Sequence, residues 1–228
     1  MNKIEIHPSI LSADFTCLEK EVKEAEKAGA DRIHCDIMDG HFVPNITFGP
    51  LVVEAVKRCI SIPLDVHLMI SEPAQYIDQF CRAGADTLTV HAEVCADLPK
   101  IAGMIRKNGV RAGVSVNPEK PVSLFLDHID KIDQVLIMTV HAGFGGQKFI
   151  PGTLEKIAAV RAAALKRNTT LDIQVDGGIN EKTAYDCARS GANLFVAGSY
   201  IFGLKDYAGR IAALRAAAQR GADEIKKL

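Results

Sequence analysis

The sequence lacks the features that mark several large classes of protein. It has no basic excess, because 27 lysines and arginines are matched by 28 aspartates and glutamates, for a formal charge of −1. Nucleic acid is therefore not an expected partner. A helix that crosses a bilayer needs about 18 consecutive apolar residues, and no apolar run approaches that length. The first residues, MNKIEIHPSI, contain no apolar segment followed by a signal-peptide cleavage site. We expect a cytoplasmic protein with no membrane partner.

Cysteine pairs and linkers are missing as well. The six cysteines are scattered without a C-x-x-C pair, so we interpret them as buried, reduced thiols. No linker rich in proline and serine, low-complexity tract or long charge run divides the chain. Hydrophobic residues make up 48% and charged residues 24%, as in an average globular protein. We therefore expect one domain over residues 1–228.

A weak internal repeat runs along the chain. Residues 27–31 (KAGAD) are echoed by residues 82–86 (RAGAD) and 189–193 (RSGAN). Each copy follows a helical pattern and precedes a short apolar run. A glycine directly after a helix is typical of the left-handed C-cap, because glycine has no Cβ to clash at positive φ. The repeat therefore indicates units in which a helix is followed by a strand.

Apolar runs and helical patterns alternate over the whole sequence. The apolar runs predict eight strands, near residues 4–9, 31–37, 63–69, 86–91, 111–117, 133–140, 171–176 and 193–198. Helical patterns follow them, at residues 17–28, 50–59, 73–82, 97–107, 121–128, 153–167, 181–190 and 207–220. Strict alternation requires parallel strands joined by right-handed crossovers.

Two architectures satisfy this alternation. One is a (β/α)8 barrel, the TIM barrel, and about 28 residues per unit fits the small end of its size range. The other is an open doubly wound sheet, which usually has fewer strands and often a glycine-rich turn after the first one. Here the first strand ends in Pro8-Ser9 with no such turn. We predict a single-domain α/β protein with the barrel fold.

Polar side chains recur on one face of three predicted strands. Because side chains alternate along a strand, three sets each share a face: His34, Asp36 and Met38; Asp65, His67 and Met69; Asp172, Gln174 and Asp176. The apolar faces of these strands pack on helices, so the polar faces point into the barrel. Buried carboxylates and imidazoles are costly unless they are paired, and barrel enzymes place their chemistry at the carboxyl ends of strands.

Four of these side chains suit a metal ion. His34, Asp36, His67 and Asp176 supply two imidazoles and two carboxylates, which are ligands for a divalent transition metal. We expect one such ion, with Zn²⁺ first and Fe²⁺, Mn²⁺ or Co²⁺ as alternatives. They come from three strands, so no short motif marks them. The competing interpretation is that each is a hydrogen-bonded polar group of the core.

Glycines at three consecutive strand ends indicate a phosphate site. They occur at Gly143-Phe144-Gly145-Gly146, at Gly177-Gly178 and at Gly198-Ser199. Glycine lets backbone N–H groups approach an anion closely, and the loops after strands seven and eight of a barrel often bind phosphate. No lysine is evident at these runs, so we expect backbone amides to do most of the binding. Met38, Met69 and Met138 lie near strand ends too, where simple gap-filling is the alternative role.

The longer motifs resemble those of the ribulose-phosphate 3-epimerases. They are residues 34–45 (HCDIMDGHFVPN), 138–147 (MTVHAGFGGQ), 175–179 (VDGGI) and 197–199 (AGS). The likeness extends from Pro8-Ser9 to about residue 203. Members of that family are (β/α)8 barrels of the ribulose-phosphate-binding type. They interconvert D-ribulose 5-phosphate and D-xylulose 5-phosphate with one bound divalent metal, and they commonly form homo-oligomers.

The resemblance assigns a role to each candidate residue. It makes His34, Asp36, His67 and Asp176 the metal ligands. Asp36 and Asp176 become an acid/base pair that inverts C3 through a metal-stabilised enediolate, and Ser9 and His67 contact the substrate. Met38, Met69 and Met138 would line the reacting carbon. The phosphate would be held by Gly143, Phe144, Gly145, Gly146, Gly177, Gly178, Gly198 and Ser199. The expected partner is a small sugar phosphate, within a homo-oligomer.

One departure from the family pattern leaves the substrate open. The second motif usually has proline before Gly-Phe-Gly-Gly, preceded by Asn, Glu or Asp, whereas this chain has His141-Ala142. D-Allulose 6-phosphate, the substrate of a sister group, is therefore an alternative. A metal-dependent phosphosugar aldolase or decarboxylase on the same barrel is a less favoured alternative. A sugar-phosphate sensor without turnover is also less favoured, because the acid/base pair is intact. No lysine is placed for a Schiff base.

Overall fold

The computed structural model describes residues 3–167 and 170–225, and within them eight parallel strands form one sheet. The strands are β1 (Glu5–Pro8), β2 (Ile33–Met38), β3 (Leu64–Met69), β4 (Thr87–His91), β5 (Arg111–Val116), β6 (Gln134–Met138), β7 (Asp172–Asp176) and β8 (Leu194–Ala197). They are paired in the order β1-β8-β7-β6-β5-β4-β3-β2. A parallel bridge from Ser9 to His34 joins β1 to β2, so the sheet closes into the predicted barrel.

Helices connect the strands and surround the barrel. They are α1 (Leu18–Lys27), α2 (Pro50–Cys59), α3 (Ile77–Arg82), α4 (Leu98–Lys107), α5 (Ser123–Leu126), α6 (Thr153–Lys166), α7 (Glu181–Ser190), α8 (Ser199–Phe202) and α9 (Tyr207–Ile225). The predicted (β/α)8 fold is thus confirmed. None of the helices in the described ranges is both long and apolar enough to span a membrane.

The predicted elements differ most from the observed ones at five places. The helix expected at 73–82 begins as a 3₁₀ turn, Pro73–Gln75, before α3, and the helix expected at 121–128 is only the four residues of α5. Strand β6 ends at Met138: the Thr139 amide still bonds to Asp176 of β7, but the Thr139 carbonyl accepts from Ile150, which is outside the sheet. Helix α9 continues to Ile225, and α8 was not predicted because four residues are too short to show periodicity.

The repeated glycines do end their helices in a left-handed conformation. Gly29, Gly84 and Gly191 have φ of 95°, 102° and 116°, values that favour glycine. Each lies three or four positions before the first residue of the next strand, so the sharp reversal returns the chain to the sheet. The internal repeat therefore arises because each of these helices ends at a residue with positive φ, which favours glycine.

The two faces of the strands have different surroundings, as their alternation predicts. Ile33, Cys35 and Ile37 of β2 belong to the large apolar core between sheet and helices, while the polar side chains of β2 and β3 fill the barrel interior. There, Asp65 Oδ2 accepts a 2.5 Å hydrogen bond from Gln174. Hydrogen bonds of this kind offset the cost of burying charged groups in the interior, although Thr89 Oγ1, Ser115 Oγ and Gln134 Oε1 have no hydrogen-bond partner among the described residues.

The cysteines are free thiols, as expected, but most are less buried than expected. Cys35 and Cys187 are fully enclosed, and the other four are partly exposed: Cys17, Cys59, Cys81 and Cys95. These four lie at helix termini or in the loop before α4, where one side of the residue meets solvent.

Candidate active site

Four side chains meet at the carboxyl ends of β2, β3 and β7. The ligand atoms of His34, Asp36, His67 and Asp176 all lie within 4.8 Å of one another. Both imidazoles are completely buried, and Asp36 is 3% exposed. The structure therefore brings together the four residues selected from the sequence, and they form a possible metal-binding cluster.

Asp36 lies at the centre of this cluster. Its Oδ1 is 3.2 Å from both His34 Nε2 and His67 Nδ1, and its Oδ2 accepts a 2.6 Å hydrogen bond from Ser9 Oγ. Burial alone would raise the pKa of Asp36, but the charge of His34 and its hydrogen bond, with a smaller effect of His67, lower it far below its ordinary value. Asp36 is therefore ionised.

Asp176 has the opposite tendency. Burial, and then repulsion from the Asp36 charge, raise the pKa of Asp176 to about 8. Its Oδ2 lies 3.9 Å from His34 Nε2. In the absence of a cation the two carboxyl groups thus hold opposite protonation states near neutral pH, and because they are coupled the titration belongs to the pair.

The histidines provide nitrogen ligands. His34 Nδ1 lies 2.8 Å from Asp65 Oδ2, so its Nε2 is left to point into the cluster. Burial opposes a charge on His34, yet Asp36 and Asp65 raise its pKa, whereas burial lowers the pKa of His67 to about 4. Two imidazole nitrogens and two carboxylate oxygens converging in this way fit a divalent transition metal, which would displace the His34 proton.

A cavity of about 440 Å³ opens above the cluster. Its lining contains the two expected catalytic residues and every expected substrate residue except His67: Ser9, Asp36, Met38, Met69, Met138, Gly143, Phe144, Gly145, Gly146, Asp176, Gly177, Gly178, Gly198 and Ser199. His34 and His67 are outside that lining and lie beneath it. His67 is thus placed to act within the cluster, and the expected contact of its ring with substrate has no support from the cavity.

Two glycines at the end of β7 are fixed by close packing. Gly177 has φ of 117°, and a Cβ there would lie 2.3 Å from Val140 Cγ2. Gly178 has φ of 65°, and a Cβ would lie 2.6 Å from the backbone nitrogen of Phe149. Both positions therefore require glycine for conformation and for space, and they bring the β7 and β6 loops together at the cavity.

The cavity also contains residues that sequence reasoning missed. Lys148 is among them, which corrects the expectation that no lysine accompanies the glycine runs. Its neighbour Gln147 donates through Nε2 to the carbonyls of His141 and Phe144, over 2.6 and 2.8 Å, and so braces the glycine loop. Lys148 lies two residues after Gly146, and that closeness was the available signal.

The chain is similar to known proteins over most of its length. The model of the ribulose-phosphate 3-epimerase family matches residues 5–202. The chain belongs to this family. It is 54% identical over 213 residues to the ribulose-phosphate 3-epimerase of Bacillus subtilis, covering 93% of this chain and 98% of that protein. It is 47% identical over 215 residues to the chloroplastic ribulose-5-phosphate-3-epimerase of Arabidopsis thaliana, covering 93% and 76%.

Solved structures with more distant sequences share the barrel fold of this chain. The 3-keto-L-gulonate-6-phosphate decarboxylase of Vibrio cholerae superimposes with a TM-score of 0.73 at 16% identity, over 96% of this chain and 99% of that one. At such low identity the likeness shows the fold alone. Membership of the epimerase family identifies the chain as an isomerase acting on carbohydrates.

Proposed function

We propose that the protein interconverts D-ribulose 5-phosphate and D-xylulose 5-phosphate by inverting carbon 3. The observation that carries the proposal is that Asp36 and Asp176 line the same cavity. The pKa of Asp36 is lowered there, whereas the pKa of Asp176 is raised. The relatives named ribulose-phosphate 3-epimerase support the same substrate class. The cavity volume, about 440 Å³, is within the range of small-molecule sites.

Inversion requires one proton to leave carbon 3 and another to arrive on the opposite face. The ionised carboxylate of Asp36 is suited to take the first proton, and the carboxyl group of Asp176 is suited to donate the second. In the reverse direction the two groups exchange roles. Ser9 holds Asp36 in place through the 2.6 Å hydrogen bond to Oδ2.

A carbon-bound hydrogen beside a ketone is a poor acid, so the negative charge that develops must be stabilised. A divalent cation held by His34, Asp36, His67 and Asp176 would supply a Lewis acid for that charge. Two nitrogen and two oxygen ligands fit Zn²⁺ first, with Fe²⁺, Mn²⁺ and Co²⁺ as alternatives. Met38, Met69 and Met138 line the cavity beside the carboxyl pair and would keep water from the reacting carbon.

The glycine loops and Lys148 would bind the phosphate. Backbone amides at Gly177 and Gly178 can approach an anion closely because no side chain intervenes. The ammonium group of Lys148 supplies a positive charge in the same cavity. The charged end of the substrate would thus be held by the glycine loops that line the cavity.

Proton NMR in D₂O tests the reaction. Purified protein with D-ribulose 5-phosphate should form xylulose 5-phosphate carrying deuterium at C3, and a chelator should abolish this until metal is restored. Exchange only with D-allulose 6-phosphate would move the assignment to the second candidate, which the His141-Ala142 departure leaves open. A product of carbon–carbon cleavage would instead indicate an aldolase or decarboxylase, and no exchange with metal-loaded protein would overturn the proposal.

The cellular location and the assembly state are proposed with the function. We propose a cytoplasmic homo-oligomer, in keeping with the sequence expectations. Light scattering coupled to size-exclusion chromatography measures the number of subunits, and fractionation of cells that make the protein measures its location. A monomer, or recovery in the membrane fraction, would contradict the corresponding part.

A further inference from the structure

A buried row of three side chains leads away from the metal cluster. His67 Nε2 lies 2.9 Å from His91 Nε2, and His91 Nδ1 lies 3.3 Å from Glu93 Oε2. The planes of the two rings differ by 25° and their centroids are 5.0 Å apart, so the facing nitrogens can share one proton. Both rings are completely buried, and the Glu93 side chain is 9% exposed.

The direction of the hydrogen bonds follows from the carboxylate at the end of the row. Burial would raise the pKa of Glu93, but hydrogen bonds from His91 and from the Asn117 amide lower it to about 2. An ionised carboxylate only accepts, so His91 Nδ1 must donate to it. In a singly protonated ring this makes His91 Nε2 an acceptor, and His67 Nε2 must then donate.

We propose that Glu93 and His91 are positioning residues that hold His67 as its Nε2-protonated tautomer, so that the Nδ1 lone pair points into the metal cluster. The inference rests on the proposed metal site and deepens it. His67 Nδ1 is the atom that lies 3.2 Å from Asp36 Oδ1. Two electron pairs at that distance repel one another unless a cation or a proton lies between them.

The other histidine of the cluster is oriented in a similar way. His34 Nδ1 bonds directly to Asp65 Oδ2 over 2.8 Å, so a carboxylate fixes its tautomer without an intermediary. For His67 the carboxylate is that of Glu93, and it acts through the imidazole of His91, which lies between them. Partners of this kind fix the ring and raise its basicity as a ligand.

The end of the row is anchored to loops beside the cavity. Glu93 Oε1 accepts a 2.8 Å hydrogen bond from the Asn117 amide, and Asn117 Oδ1 accepts one of 3.2 Å from the Ala142 amide. The ring of Phe42 packs on His91 with centroids 4.5 Å apart. The row is therefore braced by Asn117 just after β5, by Ala142 just before the Gly143–Gly146 run and by Phe42 in the loop after β2, so its side chains have little freedom to rearrange.

Two substitutions of His91 distinguish the effect of losing its hydrogen bond to His67 from the effect of changing the size of its side chain. His91→Leu removes the acceptor for His67 Nε2–H, whereas the amide oxygen of His91→Gln can replace it. In metal-free wild-type protein, long-range ¹H–¹⁵N NMR should show His67 protonated at Nε2. We expect His91→Leu to shift His67 towards Nδ1 protonation and to weaken Zn²⁺ binding by about 10- to 100-fold, as measured with a competing chelator. His91→Gln should stay within about threefold of wild type.

A control and a second variant keep the test decisive. Asp172→Asn alters a partly buried carboxylate at the other end of β7, where Asp172 bonds to Arg111, and should leave the His67 tautomer and Zn²⁺ affinity unchanged. If His91→Leu does not fold, Glu93→Gln replaces it. Its amide can either donate or accept, so His67 should become a mixture of tautomers.

Two results would overturn the proposal. One is wild-type His67 protonated at Nδ1 in the metal-free protein. The other is a folded His91→Leu variant that binds Zn²⁺ as tightly as wild type. Neither readout uses a sugar phosphate, so failure of this inference and failure of the epimerase assignment are distinguishable.

Discussion

Ser9 Oγ donates a 2.6 Å hydrogen bond to Asp36 Oδ2, and this bond crosses the line along which the barrel closes. The Ser9 backbone also pairs with His34 in the parallel bridge between β1 and β2. One residue therefore joins the two ends of the sheet and orients the carboxylate proposed as the base. Closure of the barrel and positioning of Asp36 depend on the same short segment.

Ser9→Ala should separate these two roles. The backbone bridge can persist with alanine, so we expect the melting temperature to change little. A hydrogen bond to a charged group contributes about 1.5–3 kcal/mol, so kcat should fall by about 10- to 100-fold. Steady-state kinetics and thermal denaturation measure the two effects. An unchanged kcat with a raised KM would show that Ser9 serves substrate binding alone.

Replacing either member of the carboxyl pair should abolish catalysis while the fold survives. For Asp36→Asn and for Asp176→Asn we expect kcat to fall by about three orders of magnitude or more, because each proton transfer loses its donor or acceptor. Asp172→Asn is the matched control on the same strand and should keep most of the activity. A variant at either site that retains more than about a tenth of wild-type activity would contradict the two-carboxylate mechanism.

The strand pattern predicted much of this site and could have predicted more. His34, Asp36, His67 and Asp176 were found because alternation places them on one face near strand ends, a property of the local sequence. The same alternation puts His91 on a face with Thr87 and Thr89, but the sequence of that strand alone indicates no metal or catalytic site. Its role depends on the contact with His67, which only the register of β3 and β4 reveals.

Other parts of the structure depend on tertiary contacts that no short pattern encodes. Lys148 lines the cavity because the glycine loop folds back, and Gln147 holds that loop through two carbonyls. Helix α8 has four residues, fewer than the helical period needs to be visible. Loop conformation and very short helices therefore cannot be predicted from the sequence pattern, whereas the strands and longer helices can, because they show a periodic pattern.

Two glycines of the proposed phosphate loops should respond differently to alanine. Gly178→Ala would place a Cβ 2.6 Å from the Phe149 backbone, whereas a Cβ at Gly146 meets nothing within 4 Å. Both have positive φ, 65° and 73°, so both variants carry strain of about 1–2 kcal/mol. We expect Gly178→Ala to raise KM by about tenfold or more and Gly146→Ala to change it by less than about threefold. Equal KM values would contradict the packing argument.

Glu5 should make the stability of the protein depend on pH in the acid range. Burial would raise the pKa of Glu5, but hydrogen bonds from His7 and Arg32 lower it from 4.5 to about 2. A lowered pKa in the folded state stabilises the protein above pH 4.5, and this contribution is lost as pH falls towards 2.

Glu5→Gln removes that contribution. Since Glu5 is partly exposed, we expect it to lower the free energy of unfolding by about 1–2 kcal/mol at pH 7. The difference from wild type should shrink between pH 4.5 and 2, which urea unfolding at several pH values measures. A constant difference across that range would contradict a role for the Glu5 charge.

The His141-Ala142 departure should have little effect on substrate choice. The His141 side chain is 67% exposed, and its Nδ1 lies 3.4 Å from Glu119 Oε2 at the rim of the cavity. The Ala142 amide donates to Asn117 Oδ1, a hydrogen bond that proline could not make.

The change therefore replaces the rigidity of a proline ring with a hydrogen bond, and it adds a ring that is directed mainly to solvent. We expect His141→Asn to change the ratio of kcat/KM for D-ribulose 5-phosphate and D-allulose 6-phosphate by less than about threefold, because an exposed ring contributes little to discrimination. Parallel kinetics with the two sugar phosphates measure the ratio. A shift of tenfold or more would make His141 a specificity residue and would favour the hexulose phosphate as a natural substrate.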